Sequence, residues 1–131
     1  INSKKIRLEG IDAPEIRQQC QKVFLEISVI VGFNLKKDYP CGVISKEKLI
    51  DKINKSQINC VSSGRDRYQR YLATCYKDKI NLNKWMVRNG LAVAYKRYSK
   101  HYLRDEIYAK ENKLGLWKGS FIRPEKWRKL N

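Results

Sequence analysis

Alternation between apolar and polar positions predicts strands in two segments near the N-terminus. Residues 4–11 carry Ile6 and Leu8 between charged neighbours, so a strand here has one apolar and one charged face, and Pro14 follows its end. Residues 23–31 place apolar side chains, many of them β-branched, at every second position, which favours another strand. A buried helix stays open for this second segment, because a short apolar run is ambiguous.

Three later segments have the period of an amphipathic helix. The first helix is predicted over residues 42–54 and the third over residues 103–114. The second helix is capped by Asn81 or Asn83 and runs to Asn89. In the first of these helices, lysine and glutamate fill one side. The side chains predicted to share the apolar face are Val43, Ile50 and Ile53.

A β-hairpin is predicted between the first and second helices. Residues 57–61 and 71–76 are its strands, and the polar residues 62–67 form its turn. The pairing places Cys60 and Cys75 on neighbouring strands, within reach of a disulfide bond.

The order of these elements, which is strand, helix, strands, helix and helix, predicts an α+β fold. With 131 residues the chain is long enough for one hydrophobic core, so we predict a single domain over residues 1–131. Residues 91–98 are predicted to be extended or looped. No apolar segment approaches the ~20 residues that a membrane-spanning helix needs.

The charge of the chain adds a class of partner. Lys and Arg number 29 against 13 Asp and Glu, which gives a net charge of +16 at pH 7. A field of this strength attracts polyanions such as DNA and RNA. A membrane surface is the rival, but no long basic amphipathic helix supports it. A polyanion-binding or envelope protein without a role on nucleic acid also stays open.

The four cysteines favour disulfide bonds over a zinc site. They are widely spaced and form no C-x-x-C pair, whereas zinc sites place ligands close together in sequence. Two disulfide bonds would imply an oxidising compartment. Sequence alone allows three pairings. Four reduced cysteines in the core of a cytosolic protein remain the alternative.

One short segment collects the groups that phosphodiester hydrolysis requires. The reaction needs guanidinium groups to neutralise phosphate, carboxylates to hold a hard metal ion, and a base that activates water. Arg7 lies on the polar face of the predicted strand, while Asp12 and Glu15 flank the proline turn after it. Arg70 adds a guanidinium at the predicted hairpin tip. The sole histidine, His101, excludes a mechanism that needs a histidine pair.

These motifs, in this order, resemble the staphylococcal nuclease family. The family carries an arginine strand followed by Asp-Thr/Ala-Pro-Glu, which Arg7 and residues 12–15 match. It also carries Asp-x-Tyr-Gly-Arg, which residues 66–70 match except at Gln69. Residues 81–92 resemble the second helix of the family and its exit. Matching positions nearer the C-terminus include Glu106, Gly115, Trp117, Phe121, Pro124, Trp127 and Arg128.

The resemblance implies a role for each residue of the site. Arg7 and Arg70 would bind the scissile phosphate and stabilise its transition state. Asp12 would be a calcium ligand, and Glu15 would be the general base or the group that orients water. The expected substrates are DNA and RNA.

Supporting roles follow from the same resemblance. Arg67 and Tyr68 would contact a neighbouring phosphate, and Glu106 would hold the last helix in place. Gln69 replaces a glycine of the family, and a glutamine adopts positive φ only at a cost. We therefore expect a hairpin tip of different shape, which changes the aim of Arg70.

The positions of the cysteines resemble those of a secreted bacterial subgroup of the family. One cysteine follows the Asp-Ala-Pro-Glu turn, one precedes the first helix, and the others lie on the hairpin strands. The resemblance therefore implies the pairs Cys20–Cys41 and Cys60–Cys75, and a secreted or periplasmic location.

The fold implied is an oligonucleotide-binding (OB) barrel with three helices, here without the first two strands of the family. Those strands carry an Asp-Gly-Asp-Thr turn with a further calcium ligand, so the Ca²⁺ site is expected to be incomplete. An unfinished barrel exposes strand edges. These edges would be covered by an upstream segment of the natural protein, by pairing of two chains in a homodimer, or by residues 23–31.

The function expected is a secreted, calcium-dependent nuclease that hydrolyses single-stranded DNA or RNA with low sequence specificity. The alternative is a nucleic-acid-binding relative whose catalysis is impaired because its metal site is incomplete.

Overall fold

Short strands and helices alternate along residues 4–26, 34–97 and 99–131, which are the residues that the computed structural model describes. The strands are β1 Ile6–Leu8, β2 Ile11–Asp12, β3 Cys20–Glu26, β4 Asn34–Tyr39, β5 Asn59–Arg65, β6 Tyr71–Lys77, β7 Ile80–Asn81, β8 Val93–Ala94 and β9 Gly119–Ser120. The α-helices are α1 Cys41–Ile53, α2 Leu82–Arg88, α3 Leu103–Glu111 and α4 Pro124–Leu130, and a 3₁₀ helix spans Gly115–Lys118.

The strands pair in separate small sheets. In the first, β1 runs parallel to β6, β5 runs antiparallel on the other side of β6, and β7 also pairs with β6. In the second, β2 pairs with β8, and in the third β3 lies between β4 and β9. This arrangement agrees with the α+β class predicted from the sequence.

The predicted first strand is interrupted by a turn. Gly10 adopts a φ of +79°, which an L side chain rarely adopts, so the chain bends between β1 and β2. A side chain at this position would also press on the ring of Tyr102. The bend brings Asp12 of β2 back beside Arg7 of β1.

The hairpin is confirmed, but its predicted turn is wrong. Residues 62–65 belong to β5, which pairs with β6 through an irregularity between Ser62 and Gly64. A bulge of this kind lets polar residues and a glycine continue a strand. The turn therefore shrinks to the residues between Arg65 and Tyr71.

The strand predicted at residues 23–31 is observed as β3, which begins earlier, at Cys20. The last five predicted positions, 27–31, lie outside the described residues. Since β3 pairs with β4 and β9, the backbone of this segment joins the C-terminal part of the chain.

Helix α1 has the predicted bounds within a residue, but its predicted apolar face is correct only at Ile53, which packs against a core cluster. Val43 and Ile50 are exposed, whereas the buried residues of the helix are Cys41, Gly42 and Ser45. The helix packs closely through these small residues, and a side-chain carbon at Gly42 would collide with the backbone carbonyl of Glu15.

The prediction of three helices is also incomplete. Helix α4 begins with Pro124 at its first turn and spans seven residues. Such a length is too short for its apolar period to stand out in sequence. The second helix begins as expected, because the side chain of Asn81 accepts a hydrogen bond from the Lys84 N–H at 3.0 Å.

The largest core cluster surrounds β2, β8 and α2. It contains Ile11, Met86, Val87, Leu91, Ala92, Ala94 and Tyr102. Asp12 follows Ile11 directly, so its carboxylate lies at the border of this core.

Candidate functional site

Arg7 and Asp12, two of the predicted site residues, lie side by side. The Nη2 atom of Arg7 is 3.5 Å from Oδ1 of Asp12 and donates a hydrogen bond of 3.3 Å to the carbonyl of Ile11. Its guanidinium also lies 5.6 Å from the ring centroid of Tyr95. Asp12 itself is only 2% exposed, so its charge needs close partners.

The principal partner of Asp12 is Arg128 of α4, at the other end of the chain. Arg128 donates from Nη1 to Oδ1 at 2.8 Å and from Nη2 to Oδ2 at 2.9 Å, which is a bidentate fork. Its Nη1 also donates to Oε1 of Glu15 at 3.1 Å. Hydrogen bonds to Asp12 raise the pKa of Arg128 above its ordinary value, although burial acts in the opposite direction. The guanidinium therefore stays charged.

Sequence reasoning assigned Arg128 no role in the site. It matched the residue only to the C-terminal pattern of the family. The contact joins residues that are far apart in sequence, and no local period or spacing can reveal such a contact.

Glu15 is held by a tight turn. Its N–H donates to the side-chain oxygen of Gln18 at 3.3 Å, and the Gln18 N–H donates to the Glu15 carbonyl at 2.8 Å. Gln18 is fully buried and donates from Nε2 to the carbonyl of Ile122 at 2.7 Å. The Glu15 side chain is 43% exposed, so a carboxylate in a fixed turn still reaches water.

Arg70 lies at the base of the hairpin tip and is paired with Asp66. Its Nε donates to Oδ2 of Asp66 at 2.6 Å, and the Asp66 carboxylate also accepts the N–H groups of Tyr68 and Arg70 at 2.9 Å each. Desolvation alone would raise the pKa of Asp66, but these hydrogen bonds outweigh it and lower the pKa. Gln69 adopts a φ of +65°, so the tip keeps the left-handed conformation that a glycine would favour.

The structure brings Arg70 to the first sheet but not into contact with the carboxylates. The N–H of Tyr71, next along the chain, donates to the carbonyl of Lys5 at 2.9 Å, and Arg7 is paired with Leu72. The backbone of Arg70 therefore lies directly before β6, beside the start of β1. The side chain of Arg70 pairs with Asp66.

Arg67 and Tyr68 lie at the exposed end of the tip. The guanidinium groups of Arg67 and Arg70 each lie 5.4 Å from the centroid of the Tyr68 ring. Cations over an aromatic face present both charge and a stacking surface to solvent.

A cleft of about 140 Å³ opens beside Asp12. Its lining includes Tyr95, Lys96, Arg97 and Arg123, together with Glu125. The three cations of this lining are ion-paired, Lys96 and Arg123 with Glu106 and Arg97 with Glu125.

Glu106 anchors the elements around this cleft, as the resemblance implied. It is 5% exposed and accepts hydrogen bonds from Arg123 at 3.0 and 3.1 Å and from the Ala94 N–H at 3.0 Å. The Nζ atom of Lys96 lies 3.2 Å from Oε2 of Glu106. Burial would raise the pKa of Glu106, but the Arg123 contacts and their neighbours outweigh burial and lower it.

The carboxylates of the site do not fit a calcium ion as they stand. Calcium takes six to eight oxygen ligands, many of them charged. In the described ranges no group of three or more His, Cys, Asp or Glu side chains is arranged to hold a metal ion. Asp12 and Glu15 both accept hydrogen bonds from Arg128, and with Arg7 the four side chains sum to zero charge.

Both implied disulfide bonds are confirmed, Cys20–Cys41 and Cys60–Cys75. The first joins the end of the Glu15 turn to the start of α1, and the second crosses the β5–β6 hairpin. Among the residues described, no helix is long and apolar enough to cross a membrane.

Comparison with known proteins identifies the relatives of the chain. The sequence model described as "Staphylococcal nuclease homologue" matches residues 5–119. An uncharacterized endonuclease of Haemophilus influenzae is 35% identical over 130 residues, which cover 97% of this chain and 61% of that protein. The succinoglycan biosynthesis protein ExoI of Rhizobium meliloti is 31% identical over 121 residues, which cover 90% of this chain and 58% of that protein.

A plant relative is more distant. The probable staphylococcal-like nuclease CAN3 of Oryza sativa subsp. japonica is 27% identical over 128 residues, or 95% of this chain and 28% of that protein. The chain thus spans less than two thirds of the length of each of these relatives.

Proposed function

Because the chain belongs to the staphylococcal nuclease family, we propose that it hydrolyses phosphodiester bonds of single-stranded DNA or RNA with low sequence specificity. The observation that carries the proposal is the cluster in which Arg7 contacts Asp12 and Arg128 joins Asp12 to Glu15, with Asp12 lining a cleft that also has a basic lining. The net charge of +16 supports attraction of a polyanionic strand.

Each residue has a role in the proposed reaction. Arg7 and Arg70 bind the non-bridging oxygens of the scissile phosphate and stabilise the charge that develops on them. Glu15 accepts a proton from the water that attacks phosphorus, and the bond to the leaving oxygen breaks in line as that oxygen takes a proton from solvent water. Arg70 must turn from Asp66 toward the substrate, and the phosphodiester monoanion is a suitable replacement partner.

The hairpin tip gives the strand its second contact in this proposal. Arg67 holds a neighbouring phosphate, and the exposed ring of Tyr68 packs beside the sugar or base. Neither contact reads a base edge, which is why low sequence specificity is proposed.

Calcium dependence is a further part of the proposal. A calcium ion would need oxygen ligands in addition to Asp12 and Glu15, and Arg128 would have to release both carboxylates. The proton transfer and phosphate binding above use residues of this chain.

Two features of the location and assembly are also proposed. The two disulfide bonds favour an oxidising compartment, so we propose secretion or export to the periplasm.

Within the described part of the chain, β1 and β5 each pair on one side only, and their free edges are where a second copy would add in a homodimer. Sedimentation velocity checks the assembly, since a monomer at all concentrations would contradict it.

The alternative function is binding of nucleic acid with impaired catalysis. The observation that favours it is the pairing of Asp12 and Glu15 with Arg128, because the guanidinium occupies carboxylate oxygens that would have to accept a proton or hold a metal ion. The basic surface and the arginines would remain able to hold a strand.

A cleavage assay separates the two functions. The chain is incubated with fluorescently labelled single-stranded DNA in calcium and then in EGTA, and binding is measured in parallel by anisotropy. Cleavage that disappears in Arg7→Ala supports the nuclease. Salt-sensitive binding without cleavage in either buffer supports the binding protein.

A further inference from the structure

The fork between Arg128 and Asp12 occupies the atoms that a metal ion would need. Both oxygens of Asp12 accept hydrogen bonds from Arg128, at 2.8 and 2.9 Å, and one oxygen of Glu15 accepts another at 3.1 Å. A divalent cation binds through the same lone pairs. Guanidinium and metal ion therefore exclude each other at these oxygens.

Helix α4 holds the guanidinium in this position through contacts away from the site. Arg123, just before the helix, pairs with the buried Glu106, and Glu125 in the first turn accepts a hydrogen bond of 3.0 Å from Arg97. The carbonyl of Ile122 accepts a hydrogen bond from Gln18, which also supports the Glu15 turn. The start of α4 is thus fixed to the body of the protein, and Arg128 lies in its last turn.

The charge balance of the cluster depends on Arg128. Asp12 and Glu15 contribute two negative charges, and Arg7 and Arg128 contribute two positive charges. Without Arg128 the cluster would carry a net charge of −1 beside a largely buried carboxylate. Attraction for a dication is strong at such short range and weak when the net charge is zero.

We propose that Arg128 is an internal competitor of divalent cations for the Asp12–Glu15 pair. The affinity of the site for calcium is then set by the release of the guanidinium at the end of α4. This inference rests on the proposed function, because it concerns the carboxylates to which that function assigns the chemistry. Its test measures metal binding and not cleavage, so the two can fail separately.

The experiment compares calcium binding by isothermal titration calorimetry in the wild type, Arg128→Gln and Lys126→Gln. Glutamine at 128 removes the charge and the fork. Lys126 is exposed on the same helix, so its variant removes an equal charge without touching the carboxylates. We expect Arg128→Gln to bind calcium at least ~10-fold more tightly than the wild type, and Lys126→Gln to match the wild type.

The opposite result is equally definite. A folded Arg128→Gln protein, with wild-type circular dichroism, that binds calcium no more tightly than the wild type or Lys126→Gln would overturn the competition. If Arg128→Gln does not fold, Arg128→Met decides, because methionine also removes the charge and the fork but keeps an apolar stem of similar length for packing. Tighter calcium binding by that variant supports the proposal, and equal or weaker binding overturns it.

The outcome for the proposed nuclease is read separately. If no variant cleaves single-stranded DNA while Arg128→Gln gains calcium affinity, the competition stands and the nuclease function fails. If the wild type cleaves DNA but Arg128→Gln gains no affinity, the nuclease function stands and the competition fails.

Discussion

Replacement of Glu106 by glutamine should destabilise the protein at neutral pH. The carboxylate is buried and accepts hydrogen bonds from Arg123, from the Ala94 N–H and from Lys96. Glutamine can keep the bond from Ala94 through its oxygen, but its amide group then faces Arg123 and Lys96. The variant therefore loses the ion pairs and keeps only the contact from Nη1 of Arg123 to the retained oxygen, while Nη2 of Arg123 and the Lys96 ammonium face an amide nitrogen that cannot accept a hydrogen bond.

The magnitude follows from the exposure of the partners. Hydrogen bonds to a charged group contribute about 1.5 to 3 kcal/mol each when buried. The side chains of Arg123 and Lys96 are 39% and 52% exposed, so water recovers part of this loss. We expect a net loss of about 2 kcal/mol in the free energy of unfolding, or a fall in Tm of roughly 6–8 °C for a domain of this size.

The pH dependence provides an independent check. The folded state lowers the pKa of Glu106 below its ordinary value of 4.5, so the stabilisation is fully present above that value. It should disappear as the pH falls through the folded pKa. The difference between the wild type and Glu106→Gln should therefore shrink on acidification below about 4.5.

Urea denaturation followed by tryptophan fluorescence at several pH values measures this difference. Glu111→Gln is the matched control, because Glu111 is exposed at the end of the same helix. A difference below about 0.5 kcal/mol at pH 7, or one that does not change between pH 7 and pH 3, would refute the reasoning.

The remaining predictions concern the site and its supports. Arg7→Ala should reduce the rate of single-strand cleavage at saturating substrate by ~100-fold or more, because its guanidinium stabilises charge in the transition state. Gly42→Ala should lower the free energy of unfolding by more than about 2 kcal/mol, measured in urea, because the new methyl group meets the Glu15 carbonyl. Serine at both Cys60 and Cys75 should cost about 3 kcal/mol in the same assay, since the disulfide closes a loop with a separation of 15 residues.

Controls distinguish these effects from general damage. Arg104→Ala, at an exposed position of α3, should cleave at the wild-type rate and keep its stability. Equal loss of cleavage in Arg7→Ala and Arg104→Ala would assign the effect to overall charge. A Gly42→Ala protein as stable as the wild type would show that α1 can move away from the turn.

The sequence predicted well the parts of the fold whose signals are local. Alternation and turn residues are sufficient to predict the β5–β6 hairpin. Asn81 predicts the start of α2 because its side chain caps the first turn of that helix. The pairing of Cys20 with Cys41 came from family resemblance and not from any period. Residues 62–65 were assigned to a turn because serine and glycine are poor strand formers, but pairing with β6 outweighs that preference.

Long-range packing explains what the sequence could not predict. Helix α1 buries Gly42 and Ser45 because the chain of the Glu15 turn approaches it closely, and no pattern within α1 encodes that approach. Arg7 and Asp12 could both be singled out because they lie in one short segment. Arg128 was missed because its contact with Asp12 depends on the position of a short terminal helix.

The Cys20–Cys41 disulfide has a consequence for how this protein can change. The chain leaves the first cysteine, forms the β3–β4 hairpin and returns to the second, so the bond pins both ends of an excursion of 21 residues. Substitutions within β3 or β4 therefore leave the Glu15 turn linked to the start of α1, because that link is covalent and does not depend on how tightly the two strands pair. The two strands can thus diverge in sequence while the elements beside Glu15 keep their spacing.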